Sequence, residues 1–262
     1  MTDFLDRLAN DAIERVRSGY YNAQGSITTH KRSLRSSVCN SYKAPIVAEL
    51  KTASPSRGVI RNNLPIEEII AAMQRGGAVG ISVLTEPRFF EGSLGNLVKA
   101  RSSVEIPVLM KDIVVDPKQL EAAEKLGADA VLFIEALFDR GYCELDVHDM
   151  IDRAHKARLE VLLEVHEKKE FRSALETEAD LVGVNNRDLR TLKVNLETTR
   201  EVLRGFDLEG KLIVSESGVQ TPADIRYLRS VGANAFLVGS SIMSALDVER
   251  KVRELTEAFS VG

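Results

Sequence analysis

The chain has 262 residues, of which 44% are hydrophobic and 28% are charged, and its formal net charge is −4. This length suits one large domain, and the composition is that of an ordinary globular protein. The small negative charge gives no support for a nucleic-acid or membrane-surface partner, although a local basic pocket for a phosphate is compatible with it. Cys39 and Cys143 make neither a disulfide framework nor a Cys-x-x-Cys metal site. We therefore expect reduced thiols, no metal site and a cytoplasmic location.

The N-terminal segment predicts an amphipathic helix ahead of the main fold. Phe4, Leu8, Ile13 and Val16 fall roughly at helical spacing. The acidic residues among them are unlike a secretory signal or transit peptide, and no apolar run approaches the ~18 residues of a membrane span. We expect residues 1–44 to form a helical extension packed on the main domain. For the Ser-, Thr- and Gly-rich part of this segment, a frayed arm is the alternative.

Short apolar runs then recur along the chain, separated by turn residues and helical patterns. Val, Ile and Leu on both faces of these runs are typical of parallel strands covered by helices. The segments between the runs are long enough for right-handed helical crossovers. The predicted strands span residues 45–51, 79–85, 106–112, 129–134, 160–165, 180–185, 211–216 and 235–240.

Two of the intervening helices have clear start and stop signals. Asp116 and Thr221 each precede a proline, as an N-cap precedes the first helical residue, and Gly127 and Gly232 follow the predicted helix ends. Repetition of one unit is a sign of architecture. Eight strand–helix units in about 250 residues favour an α/β fold of the (β/α)8 TIM-barrel class over residues 45–262, rather than an open doubly wound sheet. The chain also lacks the glycine-rich signatures of the common nucleotide-binding folds.

Charged and amide side chains stand at the carboxyl ends of several predicted strands, where barrels of this class have their active sites. The first strand ends with Glu49 and Lys51, which share a face because side chains alternate along a strand. Burial of two charges is costly unless they are paired or serve a purpose. One polar strand end is ordinary, but a set that converges on one mouth indicates an active site. The other strand ends contribute Lys111, Glu164, Asn185, Arg187 and Glu216.

The last two strands are followed by loops of small residues, SESGV and VGSSI. Loops at these positions commonly hold phosphate, because glycine lets backbone N–H groups approach an anion and serine adds hydroxyl donors. Small residues in tight turns are the simpler interpretation of either loop alone. Two such loops on adjacent strands favour a phosphate site.

The motifs AELKTASPSRG, ISVLTEPRFFEGS, PVLMKD, LLEVH, VGVNNRDL, SESG and ANAFLVGSSIM occur in this order. Together they resemble the indole-3-glycerol phosphate synthase family over about residues 45–245. The resemblance implies a carbon–carbon lyase of tryptophan biosynthesis that converts 1-(2-carboxyphenylamino)-1-deoxy-D-ribulose 5-phosphate to indole-3-glycerol phosphate, carbon dioxide and water. It implies a small phosphorylated substrate and no cofactor. We expect a monomer rather than an obligate oligomer.

The resemblance also implies roles for individual residues. Lys111 would be the general acid for ring closure, Glu164 a base, and Lys51 a candidate acid for the hydroxyl that departs on dehydration. Glu49 would orient the lysines, while Asn185 and Glu216 would hold substrate hydroxyls or the charge network. The assignment of each lysine to a step stays open, because coupled groups share their protons. By the same matching, the substrate pocket would be lined by Ser54, Pro55, Phe90, Leu132, Arg187 and Leu189. The phosphate would be surrounded by Ser217, Gly218, Leu237, Gly239 and Ser240.

One position departs from the family pattern, and two other functions compete with this interpretation. Ile113 stands where the family usually has Phe, so we expect altered affinity for the aromatic ring rather than lost activity. The first competitor is another phosphorylated-sugar barrel enzyme, such as an Amadori isomerase or a Schiff-base aldolase. The second is a non-catalytic barrel subunit, against which the intact Lys51, Lys111 and Glu164 argue.

Overall fold

A closed barrel of eight parallel strands forms the centre of the computed structural model, which describes residues 3–23, 25–27, 30–51, 53–54, 58–59, 65–208 and 210–259. The barrel strands are β1 Ile46–Leu50, β2 Gly80–Leu84, β3 Val108–Lys111, β4 Ala130–Ile134, β5 Glu160–Val165, β6 Leu181–Asn185, β7 Ile213–Glu216 and β8 Ala235–Val238. Each strand pairs in parallel with its neighbours in the chain, and β1 pairs with both β2 and β8 to close the barrel. The predicted TIM-barrel class is therefore confirmed.

Helices precede the barrel, cover its strands and follow its last strand. They are α1 Phe4–Arg17, α2 Leu34–Cys39, α3 Ile66–Arg75, α4 Leu94–Ser103, α5 Pro117–Lys125, α6 Glu135–Asp139, α7 Val147–Lys156, α8 Lys168–Leu175, α9 Glu197–Leu203, α10 Pro222–Ser230, α11 Ser240–Met243 and α12 Val248–Thr256. Asp116 and Thr221 cap α5 and α10 as predicted. Gly127 and Gly232 follow these helices with φ of +82° and +113°, a conformation that favours glycine.

Alternation along the strands separates two hydrophobic clusters. On β1, Ile46, Ala48 and Leu50 face the covering helices. Val47 belongs instead to the cluster that fills the barrel and continues under α1. This alternation turns Glu49 inward and upward to the barrel mouth, in register with Ser82 of β2.

The segment before β1 runs from one end of the barrel to the other. Leu5 and Leu8 of α1 are buried in the same cluster as Leu132 of β4, near the carboxyl ends of the strands. The backbone N–H of Arg32 donates to Asp129 at 2.9 Å, and Asp129 lies just before β4. The segment therefore contacts both the mouth and the amino end of the barrel. Within the described part of the chain, no helix is long and apolar enough to cross a membrane.

Candidate active site

The pair Glu49 and Lys51 lies at the end of β1, with the two charges in contact. Lys51 Nζ is 2.7 Å from Glu49 Oε1. The carboxylate of Glu49 is buried, whereas Lys51 keeps partial exposure. Burial of a carboxylate is costly without a partner, and the ammonium of Lys51 offsets this cost for Glu49.

Lys111, at the end of β3, lies among carboxylates from two other strands. Its Nζ is 3.4 Å from Glu164 Oε2 and 3.4 Å from Glu216 Oε2, and its side chain is 15% exposed. Burial disfavours the ammonium, but the charges of Glu216, Glu164 and Glu49 outweigh burial and raise the pKa of Lys111. The ammonium therefore carries its proton at neutral pH and can donate it to a substrate.

The two carboxylates that flank Lys111 differ in their surroundings. Burial opposes ionisation of Glu164, yet Lys111, His166 and a hydrogen bond from Asn185 outweigh it and lower the pKa of Glu164. Asn185 Nδ2 donates to Glu164 Oε1 at 3.0 Å. For Glu216, burial and the charges of Glu164 and Glu49 outweigh the attraction of Lys111 and raise the pKa to about 8. Glu164 is thus an ionised carboxylate suited to act as a base.

Two glycines leave room for these carboxylates inside the barrel. A Cβ on Gly183 of β6 would overlap Glu216 Oε1. A Cβ on Gly239, just after β8, would lie 2.6 Å from Glu49 Oε1. Any larger residue at either position would displace a carboxylate of the network.

An apolar cavity opens beside Lys111. Four residues predicted for the substrate pocket line it, namely Phe90, Leu132, Arg187 and Leu189, and Ile113 lines it too. The sequence did not indicate the other apolar lining residues, which are Phe4, Leu8, Leu84, Ile134 and Leu192. The helical periodicity of α1 shows which face of the helix is buried, but it carries no signal for what that face contacts.

A second, more polar cavity adjoins the first and shares Glu49, Lys51, Lys111, Arg187 and Ser217 with it. It contains all five residues predicted to surround the phosphate: Ser217, Gly218, Leu237, Gly239 and Ser240. Ser217 and Gly218 have φ of +65° and +92°, so two successive residues adopt the left-handed conformation. Such a turn can direct backbone N–H groups toward an anion.

Buried polar side chains hold the loop after β7, and Thr199 is the one among them that the sequence did not indicate. Asn186 Nδ2 donates to Ser215 Oγ at 2.9 Å and to the carbonyl of Ser217 at 3.1 Å. Thr199 Oγ1 donates to Asn186 Oδ1 at 2.8 Å. These hydrogen bonds hold Ser217 in its left-handed backbone conformation.

Arg187 stands between the two cavities and supports the loop after β6. Its Nη1 donates to the carbonyl of Leu192 at 2.8 Å, and its backbone N–H donates to Asn185 Oδ1 at 3.0 Å. Of the remaining predicted residues, Ser54 lies in a two-residue strand whose side chains are not described. Pro55 lies outside the described residues.

The two cavities together fit an elongated molecule with one aromatic end and one anionic end. The apolar cavity suits a ring. The polar cavity presents N–H groups and hydroxyls to an anion. Lys111 and Glu164 lie where the middle of such a molecule would pass, with an acid and a base in reach of the same atoms. The geometry therefore suits acid–base chemistry on a phosphorylated aromatic compound.

The chain is similar to known proteins of one enzyme family. The chain matches the family model described as Indole-3-glycerol phosphate synthase over residues 7–255. Relatives named indole-3-glycerol phosphate synthase include one from Caldanaerobacter subterraneus subsp. tengcongensis, 38% identical over 98% of this chain and 99% of the relative. Another, from Methanopyrus kandleri, is 40% identical over 98% of each chain. Among solved structures, a thiamine phosphate pyrophosphorylase from Pyrococcus furiosus has a TM-score of 0.61 at 17% identity, covering 86% of this chain and 97% of its own, and shares the fold.

Proposed function

Because the chain belongs to the indole-3-glycerol phosphate synthase family, we propose that it converts 1-(2-carboxyphenylamino)-1-deoxy-D-ribulose 5-phosphate to indole-3-glycerol phosphate. It is then a carboxy-lyase of tryptophan biosynthesis. The observation that carries the proposal is the position of Lys111, which contacts Glu164 and lines both the apolar and the polar cavity.

The substrate is proposed to span the two cavities. Its carboxyphenyl ring occupies the apolar cavity, and its phosphate meets Ser217, Gly218 and Ser240 in the polar one. Its ketone carbon then lies between them, beside Lys111 and Lys51. Binding energy from the two ends holds the reacting atoms in place, which reduces the entropy lost on reaching the transition state.

Ring closure needs a proton for the ketone oxygen. The ring carbon that bears the carboxylate attacks the ketone carbon, and the ammonium of Lys111 donates a proton to the oxygen, which becomes a hydroxyl. The carbon–carboxylate bond then breaks, carbon dioxide leaves, and the electron pair of that bond restores the aromatic ring. This second step needs little from the protein beyond position.

Dehydration needs an acid for the departing hydroxyl and a base for the proton released as the new double bond forms. Glu164 is proposed as the base, because Lys111 keeps its carboxylate ionised and Asn185 fixes its Oε1. Lys51 is the candidate acid, with its ammonium held by Glu49. Glu216 completes the network around Lys111 and, with Asn185, is proposed to hold substrate hydroxyls.

We further propose that residues 1–44 are an extension of one catalytic domain, residues 45–262. Phe4 and Leu8 support this division, since the extension contributes them to the apolar cavity. The protein is proposed to act in the cytoplasm as a monomer, on a small-molecule substrate and without a cofactor.

Indole fluorescence tests the proposed function. Purified protein supplied with the carboxyphenylamino-deoxyribulose phosphate is expected to produce indole-3-glycerol phosphate in a catalytic time course. Borohydride treatment during turnover tests the aldolase alternative. A lysine adduct trapped with the substrate, in place of indole formation, would contradict the proposed function.

A further inference from the structure

We propose that Arg15 of α1 is a specificity residue, whose positive charge partly offsets the carboxylates of Asp112 and Glu86 so that the wall of the apolar cavity accepts the carboxylate of the substrate. The inference rests on the proposed function, since that function supplies a substrate with a carboxylate on its ring. Arg15 touches neither cavity, so it acts through the two acidic residues that line the apolar one.

Arg15 is a buried cation at the junction of α1 with the barrel. The residue is 4% exposed. Its Nη1 donates to Asp112 Oδ1 at 3.0 Å, and its Nε lies 2.8 Å from Asp11 Oδ2 and 4.0 Å from Glu86 Oε1. One guanidinium thus links an acidic residue of its own helix with acidic residues that follow β2 and β3.

Asp112 directly follows Lys111, and hydrogen-bond donors surround its carboxylate. Besides Arg15, its carboxylate accepts hydrogen bonds from Tyr21 Oη at 3.0 Å and Thr85 Oγ1 at 2.6 Å. The backbone N–H of Ile113 donates to its Oδ1 at 2.7 Å. These partners hold the carboxylate of Asp112 in a fixed position at the cavity wall.

Glu86 is the second acidic residue of this wall, and it organises the loop after β2. Its carboxylate accepts the backbone N–H groups of Arg88, Phe89 and Phe90 at 2.7, 2.7 and 3.0 Å. Phe90 lines the same cavity. The acidic residue therefore shapes the ring pocket, and at the same time it places a carboxyl group where an anionic substrate must pass.

Two carboxylates beside an apolar cavity disfavour an anionic ligand. When the substrate enters, it displaces water, and repulsion between carboxylates strengthens as the local dielectric constant falls. The guanidinium of Arg15 offsets this repulsion because it lies within contact distance of Asp112 and close to Glu86. Loss of Arg15 removes the ion-pair partner of buried Asp112, which is unfavourable.

A purely structural role makes a different prediction. If Arg15 merely pinned α1 to the barrel, its loss would loosen Phe4 and Leu8 and weaken every ligand that uses the ring pocket. If Arg15 instead offsets the negative charge of the cavity wall, its loss should weaken only the ligands that carry a carboxylate. The two roles separate when the substrate is compared with 1-(phenylamino)-1-deoxy-D-ribulose 5-phosphate, which has the same ring and phosphate but no carboxylate.

The experiment measures KM for the substrate and the inhibition constant of this analogue in the full-length enzyme. We expect Arg15→Met to raise KM about tenfold or more while kcat falls less than about threefold, the pattern of lost uniform binding. The inhibition constant of the analogue should rise less than about threefold, since the analogue has no carboxylate for Asp112 and Glu86 to repel. Arg15→Gln is a second neutral variant, to be used if Arg15→Met does not fold, and it should show the same changes in KM, kcat and inhibition constant. Arg15→Lys should recover much of the affinity for the substrate.

Arg101→Met is the matched control. Arg101 is as buried as Arg15 and pairs with Asp129 at 2.6 Å, but at the amino end of the barrel. This variant should lose stability without a change in the ratio of KM to inhibition constant.

Equal increases of KM and inhibition constant in the neutral variants, or no increase in either, would overturn the inference while leaving the proposed function intact. A wild-type protein that does not consume the substrate would overturn both.

Discussion

The ammonium of Lys111 and the carboxylate of Glu164 lie 3.4 Å apart at the mouth of the barrel, Nζ to Oε2. The ion pair shifts the two groups in opposite directions. It helps to raise the pKa of Lys111 and to lower the pKa of Glu164. At neutral pH the lysine therefore holds a proton and the glutamate holds none, which is the state that a general acid and a general base require.

Replacement of Lys111 by alanine should abolish turnover while the substrate still binds. Loss of a positioned general acid typically costs about 10²–10⁴-fold in rate. Ring closure can be followed by indole fluorescence and binding by calorimetry. Lys99→Ala is the control, because Lys99 is an exposed lysine of α4. Near-normal turnover of Lys111→Ala would refute the role assigned to this lysine.

Glu164→Gln should slow the reaction severely, because the amide keeps the shape of the side chain but cannot accept the proton released on dehydration. The Asn185 amide should still bond the remaining oxygen at position 164, so substrate affinity should change little. Comparison of single-turnover rates for the two proteins measures the effect. A variant with full activity would remove Glu164 as the base.

Stability should depend on pH through Glu216, whose pKa in the folded protein is raised by burial from 4.5 to about 8. Below the lower of these values, the carboxyl is protonated in both the folded and the unfolded chain. As pH rises through the window between them, the unfolded chain releases a proton that the folded protein retains, so the folded state loses stability relative to the unfolded one. The loss is complete above the higher value and amounts to a few kcal/mol.

Urea unfolding of Glu216→Gln, which cannot ionise at this position, measures that effect. The unfolding free energy of the variant minus that of the wild type should increase between about pH 5 and about pH 9. Glu121→Gln, at an exposed position of α5, should show no such trend. A difference for Glu216→Gln that does not change with pH would show that burial leaves the ionisation of Glu216 unaltered.

The participation of α1 in the ring pocket predicts that Leu8→Ala raises KM. Leu8 is buried and lines the apolar cavity, so its truncation should cost about 2–5 kcal/mol of stability and also weaken ring binding. Leu34→Ala is a matched control, since Leu34 is an equally buried leucine in α2 that lines neither cavity. Leu34→Ala should lose comparable stability without a change in KM, and parallel changes of KM in the two variants would contradict a specific role for Leu8.

Ile113→Phe should alter KM more than kcat. Ile113 lies in the wall of the apolar cavity, where a phenyl group would add flat contact area for the substrate ring. The side chain belongs to the hydrophobic cluster inside the barrel and carries no proton for the reaction, so the chemical steps should proceed at a similar rate. Steady-state kinetics of the two proteins decide the point, and a large fall in kcat would show that residue 113 also positions the network.

Local rules predicted the polar part of the site. Glu49 and Lys51 share a face because strand side chains alternate, and the contact between them follows from that spacing. The barrel class then brings Lys111, Glu164 and Glu216 to the same mouth, because parallel strands all end there. These inferences need no knowledge of side-chain packing.

Contacts that depend on the packing of distant segments were beyond the sequence. In the sequence, Arg15 is an ordinary basic residue of a helix. The residues next to it in the chain do not indicate its contact with Asp112, which is 97 residues away. The requirement for glycine at position 183 likewise depends on Glu216 of the adjacent strand. Phe4 and Leu8 belong to the same class, since their apolar pattern would suit any buried surface.

This barrel should close an indole ring with loss of the carboxylate. A substrate labelled with ¹³C in the carboxyl group tests it most directly, with labelled carbon dioxide and indole-3-glycerol phosphate measured in the same reaction. We predict that the two products appear in equal amounts at a catalytic rate, and that both disappear in Lys111→Ala. Retention of the label in an isomerised or cleaved sugar phosphate, without an indole product, would contradict the account.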